Sequence, residues 1–112
     1  MSDASQFLMI MTTTGSREEA EKLAGALVTE RLAACVQLLP IASYFTWKGQ
    51  VQHDDEVLLL IKTRKALYSR AEERIRSLHS YDVPEVIATA ITEGSPQYLT
   101  WIDEVTAADE DE

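Results

Sequence analysis

The sequence predicts an α+β fold, a ferredoxin-like βαββαβ sandwich with a long β2-β3 hairpin and a short C-terminal helix. Three observations carry that prediction. Continuous apolar runs alternate with helical stripes in the order strand, helix, strand, strand, helix, strand, helix. The 112 residues are 46% apolar, enough for one core without disulfide or metal staples. No Pro/Gly/Ser-rich linker and no internal repeat divides the chain, so 1–112 reads as a single domain, its folded core at about 6–106 and an acidic tail at 107–112.

Phe7 to Met11 is a strand buried on both faces, running through Thr12, Thr13, Thr14 and Gly15 into a turn. Ser16 with Glu19 forms a capping box, after which Ala20, Leu23, Ala24, Leu27, Val28 and Leu32 share one helical stripe. From Cys35 to Trp47 the residues are β-branched and aromatic. Lys48-Gly49 turns the chain tightly, and a second extended run continues to Ile61. Pro40 belongs at an edge or a bulge, because it donates no ladder hydrogen bond. Leu67, Ala71, Ile75 and Leu78 mark a second amphipathic helix that Val83-Pro84 ends. Val86 to Ile91 is a last strand, and Ser95-Pro96 caps a short closing helix.

In this layout the helices cover one face of an antiparallel sheet, and strands with a wet second face alternate apolar and polar. Phe7 to Met11, Val57 to Ile61 and most of Val86 to Ile91 are apolar at both parities. One short helix is small cover for the second face, so the pattern predicts an obligate oligomer whose free sheet faces and hairpins pack between subunits.

Nineteen acidic against ten basic residues leave a net charge of -9. A phosphate backbone repels such a surface, so nucleic acid is excluded as a general partner and cations are favoured. The apolar runs are too short for a bilayer span, so no membrane is expected. The lone Cys35 and an amino terminus without a basic segment or cleavage site predict a reducing, cytoplasmic location.

No Gly-rich phosphate loop, Cys-x-x-Cys, His-Glu-x-x-His or Gly-x-Ser-x-Gly is present, and no local motif supplies a base and an orienting group to Cys35. The chain is therefore read as no enzyme. Cys35 is either a small buried hydrophobe or a soft ligand for copper or zinc, aided by Met9 or Met11 and a histidine. His53-Asp54-Asp55-Glu56 puts Asp54 with Glu56 on one strand face and His53 with Asp55 on the other, short of three ligands on either. Lys62, Arg64, Lys65, Arg70, Arg74 and Arg76 form a basic stretch, an ion-paired exposed helix or an anion site. His79-Ser80-Tyr81-Asp82-Val83-Pro84-Glu85 gathers an imidazole, a phenol, a rigid proline and a carboxylate where a helix ends. It is a helix stop or a site.

Leu32-Ala33-Ala34-Cys35-Val36, Tyr44 through Trp47-Lys48-Gly49, Glu56-Val57-Leu58-Leu59-Leu60-Ile61-Lys62-Thr63, His79 through Val86, and Tyr98-Leu99-Thr100-Trp101 stand in the order and spacing of one family. In these motifs the chain resembles the CutA divalent-ion tolerance proteins from about Phe7 to Val105. The resemblance implies a ferredoxin-like subunit in a tight homotrimer, no enzymatic reaction, no organic cofactor, and tolerance of divalent cations with copper bound foremost. It implies metal ligands at Cys35 and His79 with Met11 as a softer donor, and an intersubunit cleft holding Trp47, Lys62, Tyr81, Pro84 and Glu85. Two departures stand out: Ser80 replaces the family's usual proline, which loosens the turn, and Leu78 stands where some members carry a second histidine. The alternative reading is a trimeric signalling protein of the PII type, with a small ligand or partner protein in that cleft.

Overall fold

The computed structural model describes residues 6–107. Residues 108–112, most of the acidic tail, lie outside the described residues. The elements are β1 (Phe7–Thr14), α1 (Arg17–Thr29), β2 (Cys35–Trp47), β3 (Gln50–Arg64), a 3-10 turn (Lys65–Leu67), α2 (Tyr68–Leu78), β4 (Ile87–Ala90) and α3 (Pro96–Val105). The sheet is antiparallel in the order β2-β3-β1-β4. Among the described residues no helix is long and apolar enough to cross a membrane.

The local signals hold in part. The Glu19 carboxylate leaves the capping box half made by binding Ser80 instead. α1 stops at Thr29 with Val28 exposed and Leu32 beyond it, and α2 stops at Leu78, before Val83-Pro84. Ser16 Oγ accepts the Glu19 amide at 3.1 Å, and Ser95 Oγ accepts that of Tyr98 at 3.3 Å, so both helices start on a satisfied donor. Lys48 and Gly49 have φ of 53° and 77°, and the Trp47–Gln50 pair closes over them as a two-residue hairpin loop. Pro40 lies on β2, an outer strand.

Three strands differ from expectation, and the first is β3, which runs past Ile61 to Arg64. β1 continues past Met11 through Thr14, because β-branched threonines suit a strand and the Thr14 hydroxyl finds the Ser16 carbonyl at 2.8 Å. β4 is only four residues long and exposed throughout, an edge that pairs β1 from Leu8 to Met11.

Register divides the side chains between two faces. Ile10, Leu59 and Ile61 point to the helices, where Ala20, Leu23 and Leu27 of α1 and Ala71 and Ile75 of α2 complete a closed core. The other face carries Cys35, Lys62, Met9 and Thr89 in one cross-strand row and Gln37, Leu60, Met11 and Ile87 in the next. There α3 covers only one end, through Phe7, Ala34, Leu99 and Ile102. Arg64 fastens that end by donating to the Thr106 hydroxyl at 2.8 Å and its carbonyl at 3.0 Å. Beyond Val57, β3 has no partner but β2, so Ile41–Trp47 and Gln50–Glu56 run on as a two-stranded ribbon.

Candidate functional site: a groove between hairpin and loop

The loop after α2 meets the root of the ribbon, and His79 anchors it. Its side chain is fully buried. Nε2 lies 2.6 Å from the Thr13 carbonyl, which can only accept, and Nδ1 lies 3.1 Å from the Tyr81 amide, which can only donate. The proton is therefore assigned to Nε2, and both ring nitrogens are engaged. Thr13 is two residues past the last β1–β4 pair, so the imidazole takes over where the edge strand has ended.

Ser80 is fastened rather than loose. Its amide and hydroxyl donate to the two carboxylate oxygens of Glu19 on α1 at 2.8 and 3.1 Å, a side-chain hold where a proline would have supplied backbone rigidity. Tyr81 then crosses Gly15, whose missing side chain leaves room for the phenol: a Cβ there would stand 3.2 Å from the hydroxyl. The phenol donates to Glu56 Oε2 at 2.8 Å, and Ser43 Oγ donates to Oε1 at 2.6 Å, so one carboxylate ties loop to both ribbon arms. Burial first, then the Glu56 hydrogen bond and the negative charges of Glu56, Asp54 and Glu19, push the Tyr81 phenol up to about 12. It stays a neutral donor.

Between loop and ribbon runs an open groove of about 760 Å³. Trp47, Tyr81 and Glu85 line it, with Phe45, Asp54, Glu56 and Asp82. Asp54 and Glu56 do share a strand face, and that face is a wall of the groove. Lys62 does not line it: six residues along β3 from Glu56 is roughly 20 Å, and its ammonium lies 5.7 Å from the centre of the Tyr98 ring instead. Pro84 sits partly buried inside the loop. Sequence reasoning missed Glu56 as the knot of the site and Glu19 as its brace. The alternation in His53-Asp54-Asp55-Glu56 was the signal for the first, and nothing local announced the second.

The three metal-ligand candidates are apart within one subunit. Met11 and Cys35 share the open face but stand roughly 12 Å apart by register, and Cys35 is roughly 17 Å from the Thr13 position that His79 contacts. Among the described residues no three His, Cys, Asp or Glu side chains gather closely enough to hold a metal ion. One subunit's residues therefore do not fit a histidine-cysteine metal centre.

The basic stretch is an ion-paired helix in part, with Arg74 bidentate on Glu30, the residue that follows α1, and Arg76 3.9 Å from Glu72.

The chain was compared with proteins of known family and structure. Residues 8–105 match the model of the CutA1 divalent ion tolerance protein. This chain belongs to that family. It is 44% identical over 99 residues to the divalent-cation tolerance protein CutA of Thermus thermophilus, spanning 88% of this chain and 96% of that one. It is 48% identical over 96 residues to the chloroplastic CutA of Arabidopsis thaliana, covering 85% of this chain but only 53% of the plant protein. The fold agrees with that of the periplasmic divalent cation tolerance protein CutA from Archaeoglobus fulgidus at a TM-score of 0.89 and 36% identity, over 90% of this chain and 99% of that one. The matched model and the Thermus and Archaeoglobus relatives are all described as divalent ion or divalent cation tolerance proteins. Chloroplastic and periplasmic relatives tie the family to no single compartment.

Proposed function

We propose that this chain is a divalent-cation tolerance protein acting as a homotrimer, which binds copper or another divalent cation where subunits meet. The supporting observation is the open sheet face. It carries an unpaired thiol, Cys35, and two thioethers, Met9 and Met11, beside Leu60 and Ile87, and its own chain covers those rows only in part, with Tyr98 of α3 reaching Lys62 in the Cys35 row. Soft sulfur donors suit copper, and convergence of three such faces is how donors roughly 12 Å apart in one subunit come within reach. His79 joins as a ligand only by giving up the Tyr81 amide, so we assign it the weaker share. A cytoplasmic location is proposed with it, supported by the free thiol.

Native mass spectrometry of protein purified without chelator, before and after Cu(II) and Zn(II), tests this reading. A trimer with a whole number of copper ions, lost in Cys35→Ser, is expected. A monomer, or a trimer that stays metal-free, overturns it.

A PII-like regulator is the second reading, supported by the size of the groove, which suits a small molecule. Its lining has carboxylates and no Lys, Arg or His, so an anionic nucleotide is disfavoured there.

A further inference from the structure

The open sheet face is charged at both ends, with opposite sign. At the α3 end stands Lys62, half-buried, in the cross-strand row of Cys35 and Met9. It makes no ion pair among the described residues, and its ammonium rests 5.7 Å from the centre of the Tyr98 ring. At the ribbon end, Asp54 and Glu56 stand on the same face, and Asp82 and Glu85 join them from the loop across the groove. None of these four pairs with a Lys or Arg among the described residues. Between the two ends the rows carry Leu58, Leu60, Met11 and Ile87. Six residues of β3 separate Lys62 from Glu56, roughly 20 Å, so these charges do not meet within one chain.

When the open face becomes an interface, Lys62 leaves water, and an ammonium desolvated without a counter-charge is strongly destabilising. A second copy supplies the counter-charge. Contacts in a ring of three are head-to-tail, one patch of each copy meeting a different patch of the next, so the acidic end of one face can lie on the lysine end of its neighbour. The ribbon has the reach for it: Ile41–Trp47 and Gln50–Glu56 extend roughly 23 Å past the end of β1. That is the scale of the separation between the two charged ends.

We infer that the acidic groove is occupied by a second copy of this chain, whose Lys62 ammonium pairs with Asp54 and Glu85 from the two walls. Glu56 keeps its bonds to Ser43 and Tyr81 and so holds ribbon and loop in place for the incoming side chain. The same contact covers Trp47, which is 59% exposed in one chain. The inference rests on the homotrimer reading and names the contact that sets how the subunits are ordered. It is independent of whether copper binds at the sulfur-bearing rows.

A double-mutant cycle on the full chain tests it, read by sedimentation as the trimer's dissociation constant at a fixed urea concentration, in 0.15 M salt, where the screening length is about 8 Å. Lys62→Met removes the cation, and Asp54→Asn with Glu85→Gln removes the acids. Sites roughly 20 Å apart in one chain contribute additively, so coupling between them reports a contact across subunits. Each variant alone is expected to weaken assembly at least about tenfold, and the two combined no more than the worse of them. Lys62→Arg keeps the charge and retains assembly. Lys65→Met, at an exposed lysine of the 3-10 turn, combines additively with the acid variant. Lys62→Gln, equally neutral, repeats the cycle if Lys62→Met fails to fold by circular dichroism. Additive losses at Lys62, or coupling at Lys65 as large as at Lys62, overturn the inference, the latter marking general attraction within an acidic chain. A wild-type monomer overturns both this inference and the homotrimer reading, whereas a stable trimer with additive losses overturns this inference alone.

Discussion

The two faces of the sheet have nearly the same chemistry and opposite fates. Along β3, Val57, Leu59 and Ile61 are buried under α1 and α2, while Leu58 and Leu60 between them are only partly covered. β1 repeats the contrast, Ile10 closed in and Met9 and Met11 half open. Leucine next to leucine is treated differently because this chain has two long helices for one face and ten residues of α3 for the other. A strand apolar at both parities thus tells of two covers, one of which need not belong to the same chain.

The contrast breaks most sharply at Leu60. Leu60→Asp puts a carboxylate on the open face; if that face is the subunit interface, desolvating an unpaired charge costs several kcal/mol per subunit, and ultracentrifugation will find monomers. An intact trimer in Leu60→Asp removes the open face from the interface. Its neighbour Leu59 tests the covered face. Leu59→Ala leaves a cavity in the core under the two helices and is expected to cost about 2–5 kcal/mol in urea unfolding, with assembly retained. A loss under about 1 kcal/mol would mean the helical face is looser than its closed packing implies.

The loop lies outside both faces, and its substitutions have smaller effects. His79→Ala removes a fully buried ring and strands the Thr13 carbonyl, an expected loss of about 1–3 kcal/mol. Faster amide exchange at Tyr81 should accompany it, since that amide loses its acceptor. Tyr81→Phe costs least at neutral pH, about 1 kcal/mol, and differs from wild type in alkali. The folded phenol is raised from 10.0 to about 12, so the stability it confers is complete below pH 10.0 and declines as pH climbs to about 12. Unfolding midpoints across that window should fall less in Tyr81→Phe than in wild type; parallel curves would detach Tyr81 from Glu56.

Much of the fold was legible because it is written in local terms. Ser16, Lys48-Gly49 and Ser95-Pro96 mark boundaries through hydrogen bonds and dihedrals spanning only a few residues. The threonines after Met11 misled, since their run ends in a glycine turn and only pairing with Val57 to Leu59 on β3 showed that the strand continues through them. The site was half legible. Trp47, Tyr81 and Glu85 belong to motifs and do meet in the groove, but Lys62, in an equally clear motif, is carried to the far end of β3 beside Tyr98.

By itself the sequence determined the order of elements, the two-sided strands, the acidic surface and the family, all of which depend on residue type and short spacing. The tertiary structure alone decided that His79 has both nitrogens engaged, that Cys35 and His79 lie far apart, and that Glu56 joins Ser43 to Tyr81. Those outcomes rest on contacts such as Thr13 with His79 and Glu19 with Ser80, 66 and 61 residues apart in the chain. No local pattern encodes which donor meets which acceptor across such a distance; strand register and helix placement choose the partners.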